Sequence, residues 1–93
     1  MKEKALERKL VCAVMEMGGI AMKFISPGLD GVPDRLVLLP HGRNAFVECK
    51  APGEDLRPLQ RKRKAQLEAL GFSVYCLSGA DQIGGMLREI RGA

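Results

Sequence analysis

The chain has no tryptophan, one tyrosine and three phenylalanines in 93 residues, too few aromatics for a platform on which bases stack in succession. A nucleic-acid partner would therefore be recognised by its backbone and branch shape rather than by base sequence. Histidine is scarce too. His41 stands alone, and Cys12, Cys49 and Cys76 are widely separated with no Cys-x-x-Cys pair, which argues against structural zinc and leaves oxygen ligands for any metal. Three cysteines, each in an apolar run, read as reduced core residues, not as a disulfide framework. No apolar stretch approaches membrane-spanning length, and residues 1–8 carry charges where a signal peptide would be continuously apolar. The expectation is thus a cytoplasmic protein, in the host cell if the source is viral. Repeats, low-complexity tracts and linkers are lacking, so residues 1–93 read as one domain. Its core is small enough to want support from self-association or from nucleic acid.

Positive charge is what the chain has in excess. Fifteen Lys and Arg against eleven Asp and Glu give a formal net charge of +4 and a pI near 9.2, a balance that favours a polyanionic partner.

Apolar spacing predicts the elements. Leu6, Leu10, Val14 (with Ala13) and Met17 repeat at helical intervals over 2–17, and Gly18-Gly19 stops that helix. Residues 20–25 read as a short strand, and 26–33 as a Gly- and Pro-rich loop that delivers Asp34 to the next apolar run, 36–39. A turn at 40–44 and the strand 46–50 follow, then a turn at 51–55 and a helix from Pro58 to Gly71. A strand at 72–77 precedes a helix over about 80–90, capped by Ser78, with Ile83, Met86, Leu87 and Ile90 as its buried stripe.

The chemistry concentrates in Phe46-Val47-Glu48-Cys49-Lys50. Residues two apart on a strand share a face, so Glu48 and Lys50 point together and Cys49 points away. An antiparallel hairpin centred near Gly42 would set Asp34 opposite Lys50 and Leu36 opposite Glu48, with all three charged groups on one face. The Asp34 and Glu48 carboxylates could then converge on a divalent ion. By geometry alone, an Asp34–Lys50 ion pair fits as well as a metal site. The apolar neighbours Phe46, Val47, Val37 and Leu38 imply strands covered on both faces, where unpaired charge is costly, and so favour the metal.

Gly31-Val32-Pro33-Asp34-Arg35, Phe46 through Gly53, and Leu59-Gln60 together resemble the motifs of the VRR-NUC domain, the virus-type replication-repair nuclease branch of the PD-(D/E)XK superfamily. The resemblance implies an α/β fold: a restriction-endonuclease-like αβββαβ core with a mixed sheet covered by helices, here followed by a C-terminal helix. It also implies that Asp34 and Glu48 ligate Mg²⁺, for which Mn²⁺ substitutes, together with the main-chain carbonyl of Cys49. Lys50 would hold or activate the attacking water and steady the phosphate. Glu7, on the first helix with Glu3 one turn earlier, matches the family's helix acid and would face the site as a ligand or catalytic group. An exposed glutamate paired with Lys4 or Arg8 is an equal alternative for Glu7. Gln60 matches the family's motif glutamine and would sit near the metal or the phosphate.

Arg57, Arg61, Lys62, Arg63 and Lys64 surround Gln60 with no acid among them; a solvated helix face is the alternative, but their unrelieved repulsion favours this segment as the DNA contact. Arg35 alternates to the opposite face and takes no catalytic role, and Lys23 is undecided. The activity the resemblance implies is Mg²⁺-dependent endonucleolytic cleavage of branched DNA such as Holliday junctions, by a homodimer, in viral or mobile-element replication and repair. The rivals are a non-catalytic DNA-binding module and a flap nuclease or exonuclease with the same chemistry.

Overall fold

A computed structural model describes residues 2–92, so the two ends of the expected 1–93 domain lie outside the described residues. Helix α1 (Glu3–Glu16) leads into strands β1 (Ile20–Lys23), β2 (Arg35–Leu38) and β3 (Asn44–Cys49); α2 (Pro58–Ala69), β4 (Val74–Leu77) and α3 (Ile83–Arg91) follow. The strands form one sheet in the order β1-β2-β3-β4, antiparallel except for the parallel pair β3–β4. This is the expected α/β mixed sheet. No described helix is long and apolar enough to cross a membrane.

The core lies between one sheet face and helices α1 and α3. Leu6, Leu10 and Val14 meet Ala21, Val37, Ala45, Val47, Cys49 and Leu77, with Ile83, Met86, Leu87 and Ile90 closing the far side. Both predicted helical stripes are thus buried, apart from the half-buried Ala13 and Met17. Helix α1 ends in a Schellman motif, Gly18 N–H donating to the Met15 carbonyl and Gly19 N–H to that of Val14.

The other face departs from expectation. Only Gln60 of α2 is buried, and Ile20, Met22 and Leu38 remain 58%, 43% and 37% exposed, so the strands are not covered on both faces. The reason is that α2 packs over β4 and carries a largely polar sequence, leaving β1 and β2 without a lid.

Element ends differ for local reasons. β1 ends at Lys23, with one last rung from Phe24 N–H to the Asp34 carbonyl, because Pro33 has no donor to continue the ladder. β4 begins at Val74 rather than 72 because Gly71 and Phe72 close a Schellman motif on α2, donating to Glu68 and Leu67. Ser78 does not cap the last helix. Gln82 Oε1 accepts from the Ser78 and Gly79 N–H groups, and Ala80–Gln82 forms a 3₁₀ turn before α3 starts at Ile83.

Of the three cysteines only Cys49 is in the core, while Cys12 and Cys76 are exposed. Cys12 sits off the Leu6-Leu10-Val14 stripe of α1, and Cys76, register partner of Glu48, lies on the incompletely covered sheet face.

The β2–β3 hairpin is tighter than expected. His41 adopts a left-handed conformation at φ 66°, Gly42 follows at 73°, and Leu39 N–H donates to the Arg43 carbonyl at 2.7 Å. The turn therefore centres on His41, and the rungs run Leu38↔Asn44, Leu36↔Phe46 and Arg35↔Val47. One step further, Asp34 falls opposite Glu48 instead of Lys50, and Leu36 lies opposite Phe46 instead of Glu48. A shift of even parity leaves every side chain on its expected face.

Candidate active site

The 26–33 loop, whose last turn is shaped by Gly31, sets Asp34 at the mouth of β2. Gly31 has φ +84°, and a Cβ there would come within 2.8 Å of Leu59 in α2, so the loop can dock on α2 only with glycine at this position. Asp34 Oδ1 then accepts from Cys49 N–H at 3.3 Å, which fixes the aspartate to the end of β3 beside Glu48.

Glu48 is only 6% exposed. Its Oε2 accepts from Gln60 Nε2 at 3.3 Å, while Gln60 Oε1 accepts from Arg57 N–H at 2.8 Å. The one buried residue of α2 thus ties the helix N-terminus to the carboxylate, half of a capping box turned to a second use. Lys50 is half-buried on the same side; its N–H donates to the Leu77 carbonyl at 2.8 Å.

Glu7 reaches this end of the sheet from α1. Carboxylate oxygens of Glu3, Glu7 and Asp34 lie within 4.8 Å of one another. Glu7 does not pair with Lys4 or Arg8; its Oε1 is held by Arg35 at 3.1 Å.

Electrostatics express this crowding. Burial, followed by repulsion from Asp34, pushes the Glu48 carboxyl up to about 7, against the opposing pull of Lys50. Asp34 is raised to about 6, again by burial first, with Glu7 and Glu3 adding to it and the Cys49 N–H and Arg35 opposing. Burial also lifts the Cys49 thiol to about 12, its side chain being packed in the hydrophobic core. Several carboxylates at one strand end, short of positive charge and with no nitrogen or sulfur donor among them, fit a hard divalent cation.

In a comparison with curated proteins, the chain is 53% identical over 81 residues to "Putative nuclease p44" of Acyrthosiphon pisum secondary endosymbiont phage 1, covering 87% of each chain. No family sequence model matches. Among solved structures, a chain described as "VRR_NUC domain" superposes with a TM-score of 0.87 at 25% identity, over 92% of this chain and 94% of that one. The chain belongs to the VRR-NUC nuclease family. The αβββαβ order with its mixed sheet is that fold, and the activity is that of a nuclease.

The five cations expected to contact DNA are not equivalent in this VRR-NUC domain. Arg63 donates to the Asp30 carbonyl at 2.6 Å and to Gln66, tying the loop to α2. Lys64 pairs with Glu68 at 3.1 Å, and Arg61 approaches Asp55 at 3.7 Å on an exposed surface. The repulsion expected along this segment is therefore partly relieved, by acids flanking the run. Arg57 and Lys62 are exposed and have no carboxylate partner among the described residues. Beyond Lys50, a cleft of about 480 Å³ continues between α2 and the end of β4, with Arg61, Lys64, Cys76 and Ser78 in its wall.

Arg35 lies on the opposite face of β2, as alternation predicts, and what the sequence reading missed is its ion pair with Glu7. The available signal was a cation following a site aspartate directly and alternating toward a helix with acids on it.

Proposed function

We propose that this protein is a Mg²⁺-dependent DNA endonuclease, with Mn²⁺ as a substitute, that nicks branched DNA such as four-way junctions as a homodimer during viral or mobile-element replication and repair. The observation that carries the reading is the carboxylate cluster of Asp34 with Glu3 and Glu7 of α1, tied through Asp34 to the Cys49 N–H next to the buried Glu48.

In this reading Asp34, Glu48 and the Cys49 carbonyl hold the ion, and Glu7 adds an oxygen from α1. When bound, the divalent ion supplies charge neutralisation for the phosphate and acidifies the attacking water. Lys50 orients that water and steadies the scissile phosphate, a task suited to a compact ammonium beside carboxylates. Gln60 keeps Glu48 in its ligating orientation. Arg57 and Lys62, with Arg61 and Lys64 at the cleft, attract the sugar-phosphate backbone, while the shortage of aromatics favours recognition of shape.

The uncovered sheet face supports the homodimer. Ile20, Met22 and Leu38 adjoin one another in register, and an aromatic row of Phe24, Phe46 and Phe72, with centroids 5.4 and 6.0 Å apart, extends that face. A second copy would bury it, and a two-fold dimer offers one site to each of two opposed strands.

The deciding experiment is cleavage of synthetic four-way junction, flap and plain duplex with Mg²⁺, Mn²⁺ or chelator. Metal-dependent nicking of the junction above the duplex is expected. Binding without cleavage under every condition would leave only the accessory-module reading, and preference for the flap would replace the junction with that substrate.

A further inference from the structure

Arg35 follows Asp34 directly yet points to the other side of β2, toward α1. There it joins two elements at once. Its Nε and Nη2 approach Glu7 Oε1 at 3.2 and 3.1 Å, and its Nη1 donates to the Ala21 carbonyl of β1 at 3.1 Å. Both side chains are only 15% exposed. The fork grips one carboxylate oxygen, and Glu7 Oε2 accepts no hydrogen bond among the described residues.

A glutamate in this place needs a tether. Glu3 and Asp34 lie within 4.8 Å of it, and like charges so close would drive a side chain with three rotatable bonds outward to water. Arg35 supplies both an opposite charge and a rigid planar hold, anchored in turn by the β1 backbone. Lysine could supply the charge but not a simultaneous grip on Glu7 and the Ala21 carbonyl.

We propose that Arg35 is a positioning residue for the nuclease site: its guanidinium locks Glu7 beside Asp34, so that α1 presents a fixed oxygen to the divalent ion. This rests on the reading of Asp34 and Glu7 as metal-facing. Arg35 touches neither substrate nor ion and acts through Glu7, as outer partners of metal ligands generally do.

The test is Mn²⁺ binding followed by electron paramagnetic resonance, without DNA, for the wild type, Arg35→Lys, Glu7→Gln and the double variant. Thermal melts confirm that each is folded, and Arg35→Gln, which keeps a donor toward Ala21, replaces the lysine variant if that one melts early. Arg35→Lys and Glu7→Gln should each weaken Mn²⁺ binding about 10- to 100-fold, and the double variant should be no weaker than Glu7→Gln alone. Losses that add in the double variant, or wild-type affinity in folded Arg35→Lys, would overturn the proposal. Wild-type affinity in Glu7→Gln would overturn it while leaving Asp34 and Glu48 as ligands. Absence of Mn²⁺ binding by the wild type would overturn it together with the metal reading on which it rests.

Discussion

Replacing Glu48 with glutamine should make the metal-free protein more stable at pH 8 while abolishing its cleavage. Burial and the neighbouring Asp34 raise the Glu48 carboxyl from 4.5 to about 7, and the distance between those values corresponds to about 3 kcal/mol. A raised carboxyl contributes stability that is fully present below about pH 4.5 and is lost as pH rises through about 7, because the unfolded chain ionises first. Glutamine removes that loss, still offers a carbonyl to Gln60 Nε2, and relieves Asp34 as well. In urea denaturation with chelator, the advantage of Glu48→Gln over the wild type should therefore grow by about 2 to 3 kcal/mol between pH 5 and pH 8. Adding Mg²⁺ at pH 8 should stabilise the wild type and not the variant. A difference that does not change with pH, or a variant less stable than the wild type at pH 8, would refute the reasoning that Glu48 is a charge held in the site at a cost.

Two further outcomes follow from the loop and from α2. Gly31→Ala should destabilise the fold by roughly 1–3 kcal/mol in thermal or urea unfolding, through its positive φ and the close approach of Leu59, and should reduce cleavage along with it because Asp34 loses its mooring. Lys62→Ala, at an exposed cation without a carboxylate partner among the described residues, should leave stability unchanged, weaken DNA binding on all sequences alike, and lower the slope of log affinity against log salt by about 1; an unchanged slope would remove Lys62 from the DNA contact.

The alternation of the candidate residues was legible in the sequence because strand parity is robust. Asp34, Glu48 and Lys50 share a face under either hairpin register, so a two-residue error in the turn did not disturb it. The register was not legible, since it depends on His41 taking a left-handed conformation that most non-glycine residues avoid. Cys12 and Cys76 show a similar limit: apolar neighbours in sequence gave no sign of which face would lack a cover. That α2 shields so little of the sheet depends on where it docks, a tertiary outcome that its polar sequence only hints at. Glu7 was ambiguous for the same reason, because its partner, Arg35, lies 28 residues away.

The most direct test of the central claim is Lys50→Met, assayed side by side for Mn²⁺ binding, junction binding and single-turnover cleavage. With Asp34 and Glu48 holding the ion and Lys50 serving water and phosphate, the variant should bind metal and DNA within a few-fold of the wild type. Its cleavage should fall by about 10²- to 10⁴-fold. Cleavage at the wild-type rate would contradict the account.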